Sequence, residues 1–269
     1  MNALAPSIAA EPVLLLARRT CYRFVALALA DPHHGTFGQL AHADTRRLVS
    51  EAAEILCEED AAVARPLALG ERPLADLDPA RTFARLPNSA AELNELYEHT
   101  FGLLGGSKCP PYETEYVPSK FTFQRSNMLA DVAGFYRAFG LQSSSSSPDR
   151  PDHVVLHCEF LAQLLQLQLH CTSRLPDAIS PDENSRDSIC QDALRRFLQE
   201  HFAWWTPAFA KLLALQDPGG FYAAVGQFLA ALIPAERALA GLAPPNQVAE
   251  PSPIENADEC SACLLAIQE

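Results

Sequence analysis

The sequence predicts an all-α fold, a single-domain bundle of about seven helices over residues 1–242 followed by an acidic tail over residues 243–269. Three observations predict it. Apolar residues recur at helical spacing throughout, and no run alternates as a strand would. Only 12 glycines serve 269 residues, too few for the many tight turns of a β or Rossmann-like fold. Hydrophobic residues make up 48% of the chain, enough to bury a sizeable core.

The elements follow in order. A first helix spans about 11–30 and stops at Asp31-Pro32. Leu14, Ala17, Cys21, Phe24, Val25 and Ala28 share one arc of it, with Arg19 and Arg23 opposite. Its arginines exclude a membrane span, and the seven apolar residues after Arg23 are too few for an export leader. A second helix runs from about 44 to 64. Residues 65–88 are rich in Pro, Asp and Arg and read as a loop with short turns. Ser89 then offers an N-cap, with Glu92 completing a capping box. The helix it starts carries Leu93, Leu96, Tyr97, Phe101 and Leu104 on one side and stops at Gly105-Gly106.

Pro110-Pro111 forbids a helix interior, so residues 108–119 are irregular. A fourth helix, about 121–139, has the stripe Met128, Val132, Phe135, Tyr136 and Phe139, with Gly140 as its C-cap. Five serines, Ser143 to Ser147, form a surface loop. The fifth helix, about 152–172, is apolar nearly all round, as a central helix would be. Two further helices cover about 187–215 and 219–241, with Pro207 and Pro218 kinking or separating turns. The tail holds four prolines, five acids and no Lys or Arg, a disordered composition ending in Cys260-Ser-Ala-Cys263.

The net charge of −13 repels phosphate backbones and excludes nucleic acid as a natural partner, while a basic peptide or protein surface suits it. The eight cysteines are scattered and several fall on apolar helix faces, as reduced thiols in a cytoplasmic protein do. Gly102 to Lys108 lacks the spacing of a phosphate loop and reads as a helix stop. His153 and His157 share a helix face four residues apart, but no third ligand accompanies them, and packing is the better account. The single Cys260/Cys263 pair lacks the four ligands of a structural zinc site; a metal- or redox-active protein using it is the alternative function. No nucleophile elbow or triad spacing is present, so an enzyme is not expected, and neither is a bound cofactor.

Four stretches in fixed order resemble the TorD/DmsD/NarJ family of molybdoenzyme-specific chaperones: Arg18 to Pro32; Glu95 to Phe101 leading into Cys109-Pro-Pro-Tyr-Glu-Thr-Glu-Tyr116; Ala130 to Leu141; and Arg150-Pro-Asp-His-Val-Val-Leu-His-Cys-Glu-Phe160. Arg196 to Pro207 is similar to the family's C-terminal helix pattern. The Pro-Pro-Tyr form looks most like the branch serving type II enzymes of the dimethyl-sulfoxide-reductase family. The resemblance implies an all-helical cytoplasmic chaperone, monomeric or a domain-swapped dimer. It implies a partner, the apo catalytic subunit of a molybdenum-cofactor oxidoreductase. That subunit is held, often through its twin-arginine leader, until the cofactor is inserted.

A receptor for two arginines and an apolar stretch needs an apolar groove with carboxylates at one end. Tyr97, Phe101, Tyr112 and Tyr116 could wall it, Glu113, Glu115, Asp131, Asp152 and Glu159 could charge it, and Pro110, Pro111, Tyr136 and His153 are further candidate binding residues. Asp152-His153 matches a position tied to leader binding in relatives, and Asp152 is equally a helix N-cap. The Pro-Pro-Tyr segment reads alternatively as a rigid turn whose tyrosine fills the core. Many relatives carry Trp where Tyr112 stands.

Overall fold

The computed structural model describes residues 10–60, 66–102, 108–117, 122–142, 150–172, 181–245 and 249. The expected Gly105-Gly106 stop, the serine loop Ser143 to Ser147, and Cys260 and Cys263 lie outside them. The fold is all-α, as expected, but more finely divided. The helices are α1 (Ala10–Leu29), α2 (Thr36–Ala41), α3 (Ala43–Asp60), α4 (Pro79–Phe83), α5 (Ala90–Phe101), α6 (Thr122–Ala138), α7 (Val154–Thr172), α8 (Pro181–Phe197), α9 (Thr206–Gln216) and α10 (Phe221–Leu239). The excess over seven comes from α2, a short helix between the first two expected helices, from α4, a short helix inside the stretch read as a loop, and from a helix expected as one piece over 187–215. That piece is α8 and α9, separated by a π-helical turn over Leu198–Phe202.

The reading of local signals holds where side chains act on their own backbone. Ser89 Oγ accepts from the Glu92 N–H at 3.2 Å, and Glu92 reaches back to the Asn88 N–H at 2.9 Å. Asp31 accepts from the His33 N–H at 2.9 Å, ending α1 with Pro32 behind it. Pro207 stands in the first turn of α9, where its missing N–H costs nothing. Gly140, at φ +72°, lets the chain leave α6 with Leu141 N–H bonded to the Tyr136 carbonyl at 2.9 Å.

The core lies where α1 crosses α7, with α3 on the other flank of α1 and α8 beside α7. The apolar arc of α1 faces inward: Cys21, Phe24, Val25 and Ala28 are buried, and Phe24 packs between Phe83 and Phe228. α7 buries Val154, Cys158, Phe160, Leu161, Leu164 and Leu165, as a central helix must. α10 packs on α9 at close range, because a Cβ at Gly226 would meet the Ala210 carbonyl at 2.6 Å.

Two buried ion pairs tie distant segments together. Arg18, in the arginine-bearing stretch of α1, is buried and donates two bonds of 2.9 Å to Glu236 of α10, which also accepts from Tyr22 at 3.1 Å. Arg237 forks onto Glu71, at 2.8 and 2.6 Å, and so clamps the segment after residue 66 to α10. Pro234 explains why that segment docks there. A proline inside a helix leaves the carbonyl four residues back without its partner, and here Ala230 accepts from the Arg72 N–H at 2.9 Å instead. No described helix is long and apolar enough to cross a membrane, and all six described cysteines are free thiols.

Candidate functional site: the buried carboxylates behind the α6 groove

The Cys109–Tyr116 segment is pinned to the approach to α7. Pro110 and Pro111 are buried and hold the chain extended. Tyr112 then pairs antiparallel with His153: the Glu113 N–H bonds the Asp152 carbonyl at 3.0 Å, and the Val154 N–H bonds the Pro111 carbonyl at 2.8 Å. A short turn over Glu113–Tyr116 follows. Tyr116 is buried, donates to the Pro110 carbonyl at 3.1 Å and lies on Trp205. Tyr136 of α6 donates to the Pro151 carbonyl at 2.9 Å, fastening α6 to the same strut.

Asp152 organises this junction. Its carboxylate is fully buried and accepts from the Thr114 N–H at 3.1 Å, the Thr114 hydroxyl at 2.7 Å, and Arg150 at 3.1 and 2.9 Å. Arg150 also reaches Glu115 at 3.0 Å and stacks over the Tyr112 ring at 4.3 Å. The capping reading of Asp152 needs correction. It does not cap α7, because that helix begins at Val154 and His153 Nδ1 accepts the first-turn N–H of Val155 at 3.2 Å. Its own carboxylate is buried, and it meets the surface through Arg150, whose side chain is partly exposed. The two histidines of one helix face also part company. His153 lies edge-on to Tyr112, while His157 is sealed among Phe197, Phe202 and Trp205.

Glu113, expected to offer charge to a groove, is instead the innermost group of the site, with no exposure. It accepts from Trp204 Nε1 at 2.9 Å and lies 3.3 Å from His201 Nδ1 through both oxygens, with His157 Nε2 at 3.7 Å. Burial pushes the Glu113 carboxyl up to about 7, against the pull of His201 and Trp204. Burial pulls His201 down, but its bond to Glu113 and the charges of Glu113 and Asp131 outweigh this and hold it above the ordinary histidine value. Burial, then the neighbouring His201 and His153, keeps His157 well below that value and neutral.

His201 carries the network outward. Its Nε2 lies 3.2 Å from Asp131 Oδ2, on the exposed side of α6. Beyond is an open groove lined by Gln124, Asn127, Met128, Ala130, Asp131, Glu200 and His201. Phe123, 76% exposed, belongs to the same helix. The groove is thus shallow and lined mostly by polar residues along α6, with two amides and two carboxylates around the apolar contribution of Met128 and Ala130.

Of the residues singled out in the sequence, Pro110, Pro111, Tyr112, Glu113, Tyr116, Tyr136, Asp152 and His153 assemble into this strut, and Asp131 joins it through His201. Tyr97 and Phe101 stand apart from it, packed on each other, with Phe101 against Phe209 and Tyr222. Glu159 is exposed on α7 within electrostatic reach of Tyr136. Cys109 is buried, and burial alone raises its thiol, so it stays protonated. Sequence reasoning missed Arg150, Thr114, Glu200, His201 and Trp204 as site members. The signal available for the last three was Glu200-His-Phe-Ala-Trp204, an acid, a histidine and an indole within a single helical turn or so.

The site falls within a stretch shared with characterised proteins. A family model described as the nitrate reductase delta subunit matches residues 65–211. A selenate reductase assembly chaperone protein from Thauera selenatis is 33% identical over 168 residues, covering 61% of this chain and 75% of its own length. A chlorate reductase assembly chaperone protein from Ideonella dechloratans is 31% identical over 138 residues, covering 51% of this chain and 64% of its own. No solved structure matches the chain. With the ordered motifs, the all-α fold and these matches in agreement, the chain belongs to the nitrate reductase delta subunit family, the NarJ/TorD type of molybdoenzyme chaperone.

Proposed function

We propose that this protein is a cytoplasmic assembly chaperone that binds the apo catalytic subunit of a molybdenum-cofactor oxidoreductase, engaging its twin-arginine leader, and holds it until the cofactor is inserted. The family supports the chaperone role. The observation that carries the binding mode is the α6 groove, where Met128 and Ala130 lie with the carboxylates Asp131 and Glu200, and Phe123 is exposed earlier on the same helix. An apolar helix or extended segment can lie along α6 while a guanidinium forks onto a carboxylate at the rim. The net charge of −13 draws a basic segment in and repels other acidic proteins.

The strut of Asp152, Arg150 and Tyr112 acts on this groove from behind. It fixes Glu113, which fixes His201, which holds Asp131. Asp152 and Glu113 therefore shape the binding face without touching the partner.

The test is co-expression with a type II catalytic subunit, intact or with its two leader arginines changed to lysine. The intact subunit is expected to co-purify at near one-to-one stoichiometry in its cofactor-free form. Asp131→Lys with Glu200→Lys is expected to lower that recovery at least tenfold while leaving the helical circular dichroism unchanged. Equal recovery with both rim acids reversed would remove the groove from the reading. Failure to recover the subunit at all would remove the chaperone assignment.

A further inference from the structure

We propose that Asp131, Glu200 and His201 form a binding site for a divalent transition-metal cation at the inner end of the α6 groove. The inference goes beyond the chaperone reading and does not depend on it. The donor atoms of the three side chains lie within 4.8 Å of one another. Ligands about 2.1 Å from a common tetrahedral ion stand about 3.4 Å apart. The His201 Nε2 to Asp131 Oδ2 separation, 3.2 Å, is slightly shorter than that value. Only the exposed Glu200 carboxylate has to swing inward, leaving the long 3.4–3.5 Å contacts it makes with Arg196.

The group behind the histidine points the same way. His201 directs Nδ1 at the buried carboxylate of Glu113, 3.3 Å away. A histidine that ligates a metal almost always donates its other N–H to a carboxylate, carbonyl or water, which sets the tautomer and aims the ligating nitrogen. Glu113 has this position, and Trp204 holds Glu113 in turn at 2.9 Å. The consequence appears at Nε2. With the ring N–H given to Glu113, Nε2 faces Asp131 Oδ2 at 3.2 Å, and either a second ring proton or a metal ion can lie between them. A second ring proton would satisfy the pair, but it would leave Glu200 with no part in the cluster. A metal ion uses all three groups.

The backbone supplies the last element. The π-helical turn over Leu198–Phe202 places the consecutive residues Glu200 and His201 on one groove wall, and such turns recur at functional sites. One imidazole and two carboxylates, without thiolate, suit Zn²⁺, Mn²⁺, Fe²⁺, Co²⁺ or Ni²⁺. Three protein ligands leave a coordination position open to the groove.

The experiment is calorimetric titration of Zn²⁺ into chelator-stripped full-length protein carrying Cys260→Ser and Cys263→Ser, so that the tail thiols cannot bind it. One equivalent is expected to bind. Asp131→Asn and Glu200→Gln, both at exposed positions, are each expected to weaken binding at least tenfold. Glu113→Gln is expected to weaken it by about tenfold through the histidine. Co²⁺ is expected to show ligand-field bands without thiolate charge transfer. Less than a tenth of an equivalent bound, or unchanged affinity in the Asp131→Asn, Glu200→Gln double variant, would overturn the proposal. Partner recovery is not a readout here, so this result and that of the co-expression experiment stand independently.

Discussion

Glu113 sets the pH behaviour of the site, because it is enclosed by groups from every element around it: His157 on α7, His201 and Trp204 after α8, and Asp152 below. Its carboxyl has an ordinary value of 4.5 and is pushed up to about 7 by burial. At Glu113 the folded protein therefore binds one more proton than the unfolded chain between those values. The sign follows. The stability due to Glu113 is fully present below about pH 4.5 and is lost as pH rises through about 7. Glutamine resembles the protonated form and lacks the loss. The stability of Glu113→Gln relative to the parent is therefore expected to improve by about 3 kcal/mol between pH 4.5 and 7. His157, whose lowered value makes acid unfavourable to the folded state, is present in both proteins and drops out of the difference, whereas His201 loses the Glu113 charge that helps hold it up and adds to the difference with the same sign. Urea melts of the two proteins across that range measure it, and a difference independent of pH would show that Glu113 stays ionised throughout. The sequence identified Glu113 as a charged member of the site but could not show which way it faces. A glutamate in a Pro-Pro-Tyr-Glu-Thr-Glu run can point to solvent or inward, and the choice rests on Trp204 and His201, about ninety residues away in the chain.

Helix positions were legible at the scale of elements because their causes are local: caps, periodicity and proline. What joins the elements was not. Arg18 looks like one of three arginines on a helix, and only the fold shows that it meets Glu236 in the core. The same holds for Glu71, which reads as a loop acid and is the buried partner of Arg237, with 0% and 4% of their side chains exposed. The free carbonyl left by Pro234 explains why that loop returns to α10, but which N–H would take it cannot be counted from the sequence. This clamp yields a prediction. Glu71→Ala leaves the Arg237 guanidinium buried without a carboxylate, and such a break costs about 3–5 kcal/mol. Replacing both members, Glu71→Leu with Arg237→Met, removes the charge together with its partner and is expected to recover most of the loss. Chemical denaturation of the three proteins is the measurement. A double variant as unstable as the single one would mean that the ion pair itself, with the Pro66 and Leu242 carbonyls it also engages, holds the loop in place.

For the whole molecule, composition already indicated the fold class, while the groove emerges only in the folded chain. Its rim combines Asp131 on α6 with Glu200 in a π-helical turn that no helical pattern announces, and a regular helix through residue 200 would give a different register of side chains. The two carboxylates sit on a chain of net charge −13, so local and global fields add. Attraction of this kind acts mainly on the rate of encounter and weakens as salt shortens the screening length from about 14 Å at 50 mM to about 4 Å at 500 mM. Affinity for a twin-arginine leader peptide is therefore expected to fall by about tenfold over that range, mostly through slower association. Asp131→Asn with Glu200→Gln removes the nearest two charges but leaves most of the global field. That variant is expected to show weaker affinity with faster dissociation, since the guanidinium loses its direct partners, and a shallower dependence on salt. Surface plasmon resonance with the peptide immobilised separates the two rates. If salt changes neither rate, apolar contact along Phe123 and Met128 accounts for binding, and the rim acids are left with the metal site as their role.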